Sequence, residues 1–276
     1  MNYFNKLKEL IFKPSMNVLP GQLAFFLILS LFPLLTLLGL IGSKYELFSA
    51  SFISAMKNVM PSNFVEVILP FVTERKMDGN IIFIMILGFI VASNGAHSLI
   101  ITSDELYELP YENYIKRRIK AFLMTILFLF MFVFIIVVLA YGNIIVSTIL
   151  SIKDLQAFHD QLYYLFVILR WPISFFFIFL FLKYLYSVAP DARIPSKFVN
   201  RGALFGTFGI VLITFAYSFY VNNFANYSLF YGGISGIIMM MIWVYLISYV
   251  LTLGIAINSS IYLTYGNKIE KKDNNS

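Results

Sequence analysis

The chain has no cysteine among its 276 residues, which removes disulfides, thiolate metal sites and cysteine nucleophiles from consideration. Charge is scarce too: Asp, Glu, Lys and Arg make up 12%, and histidine occurs twice. No H-x-x-x-H, D-x-D or Glu-rich pair accompanies His97, so no metal and no other cofactor is expected. The scarcity peaks between Arg201 and Lys268, where sixty-six consecutive positions (202–267) carry no charged side chain. One bilayer crossing needs about 20 apolar residues. This stretch therefore predicts two crossings, turning at the polar cluster Asn222, Asn223, Asn226, Tyr227 and Ser228. Helices of soluble domains are shorter and keep a charged face. The chain reads as an integral membrane protein.

What is present supports that reading. Hydrophobic residues reach 60%, more than a soluble domain of this length uses. The expected fold class is all-α, a polytopic membrane protein of six transmembrane helices, with spans near 21–43, 80–102, 121–150, 161–188, 202–223 and 231–264. Residues 1–20 precede them as a cytoplasmic interfacial helix, in which Phe4, Leu7, Leu10 and Ile11 share a face. Residues 44–79 form an extracytoplasmic amphipathic segment of surface helices between spans one and two, broken at Pro61-Ser62. Residues 265–276 form a cytoplasmic tail.

Orientation follows from the basic residues. With the N-terminus inside, fourteen of the twenty Lys and Arg fall on the cytoplasmic side and six outside, as the positive-inside rule requires. The net charge of +6 is thus topogenic, and nucleic acid is not an expected partner. Lys6, Lys8 and Lys13 precede an apolar run that is too long for a signal peptide and lacks a small-residue cleavage site after it. Both termini are placed in the cytoplasm of a bacterial cell, with the protein in its inner (plasma) membrane.

Several polar residues fall inside the predicted spans. Gln22, Ser30, Pro33 and Thr36 lie on one arc of span one, about 120° wide, and lipid offers such groups no partner. Pro33 frees a carbonyl one turn earlier. Span two carries Asn94, His97, Ser98 and Thr102, then Asp104 and Glu105; an intramembrane His can relay protons or meet an anion. Arg170 lies in span four, twelve apolar residues before Lys183. At that depth an arginine must snorkel, pair or face water, and its planar fork suits a carboxylate or phosphate. Gln22, Ser30, Pro33, Asn94, His97 and Arg170 are the candidate lining of a substrate cavity. Gly232 and Gly236 form G-x-x-x-G, which with Trp243 points to close helix packing. Lys116, Arg117, Arg118 and Lys120 are expected to face anionic head groups, and Glu112 to pair with Lys116. The loop 189–195, with two prolines and the acid–base pair Asp191 and Arg193, reads as a rigid turn at the inner face.

Taken in order, these segments resemble the YihY/BrkB family of virulence-factor-like inner-membrane proteins. The resemblance rests on Leu23-Ala24-Phe25-Phe26 with Ser30-Leu31-Phe32-Pro33-Leu34, then Arg170-Trp171-Pro172 and Ala189-Pro190-Asp191 to Pro195. Tyr231-Gly232 through Trp243-Val244-Tyr245 to Gly254 completes it. It implies six spans with both termini inside. One departure is visible: an acidic residue usually follows the last-span glycine, whereas here Gly254-Ile255-Ala256-Ile257 leads to Asn258. Family members have been called ribonuclease BN, a misnomer, and are otherwise linked to serum resistance or transport. The expected function is a transporter or exporter of a lipid or anionic solute, with membrane lipids as neighbours and no enzymatic activity. The alternatives are a non-catalytic scaffold for envelope assembly and, remotely, a ribonuclease; a homo-oligomer is compatible with each. Reporter fusions should place residue 110 and the C-terminus in the cytoplasm and residue 60 outside, and a cytoplasmic residue 60 would overturn the six-span arrangement.

Overall fold

The computed structural model describes residues 2–44, 65, 69–70, 81–110, 113–136, 159–192, 194–224, 227 and 231–266. They are helical throughout: α1 (Tyr3–Ile11), α2 (Leu19–Lys44), α3 (Ile81–Tyr107), α4 (Tyr114–Ile136), α5 (His159–Val188), α6 (Asn200–Asn223) and α7 (Ser235–Ile261). Among the described residues, five segments are long and apolar enough to cross a membrane: Pro14–Thr36, Ile86–Tyr107, Trp171–Val188, Asn200–Asn223 and Ser235–Gly266. The span expected at 121–150 begins on α4 and runs beyond the described residues. Most of the segment expected at 44–79, and the tail after 266, also lie outside them.

The helices assemble through small residues. α3 turns Gly88, Ala92, Gly95 and Ala96 inward, with both alanines essentially unexposed. Against this strip α2 places Ser30 and Pro33. A β-carbon at position 95 would lie 2.6 Å from Ser30 Oγ, and one at position 88 would lie 3.6 Å from Pro33 Cβ. Lipid tails are as apolar as leucine, so close van der Waals approach supplies the association energy here. Ser30 Oγ donates to the Leu27 carbonyl at 2.8 Å, and α2 continues through Pro33 to Lys44.

A second close approach joins α5, α6 and α7. A β-carbon at Gly202 would collide with the Gly254 carbonyl and the Asn258 amide, and one at Gly254 with the Tyr186 hydroxyl. Tyr186 Oη donates to the Leu251 carbonyl at 3.1 Å, so a fully buried phenol fastens α5 to α7. Gly232, expected at a close helix contact, instead takes a φ of +53° in a 3₁₀ turn, with nothing within 4 Å of a would-be β-carbon. Its glycine serves the turn. Gly236 is buried in the first turn of α7, and Trp243 is half-buried, with Nε1 donating to Thr214 Oγ1 at 3.3 Å.

The outward faces are apolar and aromatic, including Ile168, Trp171, Phe176 and Leu180 of α5 and Phe208, Leu212, Phe215 and Phe219 of α6. Such a surface needs lipid around it. The inner core gathers Leu23, Leu99, Ile100, Leu185, Ile194 and Ile255. Gly202→Ala and Gly254→Ala should each destabilise the purified protein by about 1–3 kcal/mol, the cost of forcing an atom into filled space. Gly21→Ala, where nothing lies within 4 Å, should be tolerated. Thermal unfolding in detergent separates these outcomes.

A buried charge network and polar seam as candidate functional site

The polar end of the bundle is organised by one arginine. Arg117, in the first turn of α4, donates from Nε to Asp191 Oδ2 at 2.6 Å and from Nη2 to Asp104 Oδ2. Asp104 is fully buried near the end of α3, and its other oxygen accepts the Asp191 backbone N–H at 2.7 Å. Lys120, one turn along α4, donates from Nζ to the carbonyls of Ala189 (2.7 Å) and Pro190 (2.6 Å) and to Asp191 Oδ1 (3.1 Å). The network closes the proline loop onto α3 and α4. Burial pushes the Asp191 carboxyl up, but the hydrogen bonds donated by Arg117 and Lys120 outweigh this and leave it below its ordinary value. Asp191 is therefore ionised at neutral pH.

The basic elbow expected to face head groups is thus largely turned inward. Arg117 and Lys120 serve the network, and Arg118 donates to Asn94 Oδ1 at 2.8 Å and to the Ile90 carbonyl at 2.9 Å. Its guanidinium also stands over the Phe122 ring at 5.1 Å. Asp191 pairs with Arg117 and Lys120; Arg193 and Glu112 lie outside the described residues. At the same end, Lys6 of α1 bridges to Glu108 and Lys13 to Glu105, both at 3.1 Å. Leu10 is completely buried, so α1 is docked onto the bundle, while Phe4 and Phe12 remain exposed.

The expected cavity residues divide between interfaces. Ser30 and Pro33 face α3 at Gly95 and Gly88. Asn94 and His97 face α4, where the His97 ring meets Tyr114 edge-on at 6.0 Å. Gln22 is half-buried near the start of α2. The Arg170 side chain lies outside the described residues, although its backbone continues α5. Ser30, Pro33, Asn94 and His97 share α3, whose interior carries an unusual load of polarity. His97 Nδ1, Ser98 Oγ, Thr102 Oγ1, Ser103 Oγ and Tyr107 Oη are buried without a hydrogen-bond partner, as is Asn258 Nδ2 on α7. Most buried polar side-chain atoms are paired, so five such atoms along three turns of one helix mark a polar seam.

Sequence reasoning found Asn94, His97, Ser98 and Thr102 but not Tyr107 or the role of Asn258. Asn258 Oδ1 accepts the Gly202 N–H at 2.7 Å, satisfying an orphan donor in the first turn of α6. Polar character at position 258 was legible; its partner on another helix was not.

The chain matches the family described as Virulence factor BrkB over residues 13–276. It belongs to the BrkB family. Among its relatives, the ribonuclease-like protein YfkH of Bacillus subtilis is 28% identical over 246 residues, covering 88% of each chain. A UPF0761 membrane protein of Vibrio campbellii is 24% identical over 94% of this chain and 82% of its own. One of Vibrio vulnificus is 26% identical over 89% of this chain and 77% of its own. No solved structure matches. A BrkB-family chain is a membrane protein, and the apolar surface described above accords with that.

Removing Arg117 while leaving both acids should be severe, because it strands buried charge. Arg117→Leu is expected to cost about 3–5 kcal/mol, and Arg117→Leu with Asp104→Asn less. The Asp191 pKa is lowered on folding, so its contribution is present above the ordinary carboxylate range and lost as pH falls through the lowered value. Asp191→Asn should flatten that acid limb in thermal unfolding measured from pH 7 downward.

Proposed function

We propose that this BrkB-family protein is a transporter or exporter of a lipid or an anionic solute in the bacterial inner membrane, with both termini cytoplasmic. The observation that carries the reading is the polar seam of α3: Ser98, Thr102, Ser103 and Tyr107 present buried, unpartnered hydroxyls within a membrane-spanning helix. In hydrocarbon such groups are costly unless they face one another, water or a polar passenger. A structural helix would gain stability by exchanging them for apolar residues. Their placement inside the bundle, away from the lipid-facing aromatic surface, supports a path for polar groups.

A scaffold is the second reading, favoured by the saturation of the charge network. Every oxygen of Asp104 and Asp191 is engaged, as expected of a brace holding three segments. The same saturation argues against phosphodiester hydrolysis, which usually calls on carboxylates free to hold metal ions. Asp104 and Asp191 are instead committed to Arg117 and Lys120.

Protein reconstituted into vesicles should move fluorescent phosphatidylglycerol between leaflets, or chloride across them. Thr102→Val with Ser98→Ala removes two hydroxyls at nearly constant volume. Flux should fall at least about tenfold, the worth of one hydrogen bond to a charged group, while thermal stability stays equal or rises. Unchanged flux of both probes in the double variant would retire the transport reading in favour of the scaffold.

A further inference from the structure

The seam ends where three helix termini converge on one aromatic ring. Tyr262, one turn beyond Asn258, meets the Tyr107 ring edge-on at 5.8 Å and the Phe198 ring at 5.6 Å. Tyr107 closes α3, Phe198 lies just before α6, and Tyr262 follows α7. Two donors at this junction are fully buried and unpartnered: Asn258 Nδ2, whose residue has no exposure, and Tyr107 Oη, whose residue has 1%. The Asn258 amide is anchored by its other end, since Oδ1 accepts the Gly202 N–H in the first turn of α6.

We propose that Asn258 Nδ2, anchored at the amino-terminal turn of α6, and the hydroxyl of Tyr107, whose ring packs on Tyr262 one turn beyond Asn258, bind a singly charged anion. An amide nitrogen and a phenol both have hydrogen to give, so the ligand must supply acceptors. The amino terminus of a helix carries about half a positive charge. Because Asn258 Oδ1 takes its hydrogen bond from that terminus, polarisation along the amide strengthens the Nδ2 donors. Nearby acids do not compete: both oxygens of Asp104 are held by Arg117 and the Asp191 N–H, while Glu105 and Glu108 are paired with Lys13 and Lys6. Lys197 stands over the Phe198 ring at 5.2 Å and is exposed, a positive charge at the edge of the junction.

The charge of the ligand follows from the same inventory. The donors at the junction are neutral, and the described cations nearest to it are either committed to acids or exposed. Burying a dianion against neutral donors is costly, whereas a monoanion is matched by a helix terminus and two or three hydrogen bonds. Chloride and the phosphodiester of an anionic lipid share this chemistry. The site would hold the anionic cargo of the transport reading, on which it rests, but binding is measured separately from flux, so the two can fail independently.

The test uses the full-length protein purified in uncharged detergent. At constant ionic strength, chloride replacing gluconate should raise the unfolding temperature and broaden the chloride-35 resonance; in nanodiscs, phosphatidylglycerol should stabilise the protein more than phosphatidylcholine if the lipid is the source. Tyr107→Phe keeps the ring against Tyr262 and removes one donor, so affinity for the active probe should fall about tenfold. Asn258→Asp keeps an acceptor for Gly202 N–H but replaces the donors with negative charge, and binding should be lost. Native-like folding of each variant is checked by size-exclusion chromatography. Absence of any response in the wild type to both probes, or wild-type affinity in folded Tyr107→Phe, would overturn the proposal even if flux persists.

Discussion

A guanidinium held between two buried carboxylates organises the polar end of this protein. Arg117 reaches Asp104 on α3 and Asp191 in the loop after α5, and Lys120 adds the carbonyls of that loop. Two acids and two bases share one enclosed site, so no charge there stands alone. Isolated charges in a low-dielectric interior are prohibitive, while paired and fully hydrogen-bonded ones are tolerated. The network fixes where α4 begins, how the proline loop folds back, and how both sit against the end of α3. The docked α1 and the connection after it, joined through Lys6 and Lys13 to acids on and just after α3, extend the same arrangement outward.

Inside the bundle the constraint changes from charge to distance. Gly88, Ala92, Gly95 and Ala96 admit α2, and Gly202 with Gly254 admits the α6–α7 contact. Helices that approach this closely leave little room for polar side chains. Most found local partners: Ser30, Thr125, Thr207, Ser248 and Thr252 each donate to a carbonyl three or four residues back on their own helix. Against that background the unpartnered hydroxyls of α3 and the amide of Asn258 stand out. Among the described residues, Ser15 Oγ shares that state outside α3.

Two kinds of polar residue were therefore easy to confuse on the linear chain. Ser30 and Ser98 both fall on polar arcs of predicted spans, yet Ser30 is satisfied by Leu27 and packed on Gly95 while Ser98 is unpartnered. The basic run 116–120 had the composition of a head-group contact, but Arg117, Arg118 and Lys120 turn inward because acids and carbonyls distant in sequence wait for them. Gly232 and Gly236 had the spacing of a packing motif, whereas at Gly232 the backbone needs a left-handed turn.

The sequence by itself determined that the chain is a helical membrane protein of the BrkB type. Hydropathy over about 20 residues is a local property, set by burial in lipid and independent of any neighbour. It also placed polar arcs on the first and second spans, since a residue type is readable wherever it falls. Only the tertiary structure decided which polar groups are paired. Asp191 and Asp104 are 87 positions apart, and Gly202 and Asn258 are 56 apart. A hydrogen bond depends on distances of about 3 Å, and such proximity between distant residues arises only when the helices pack.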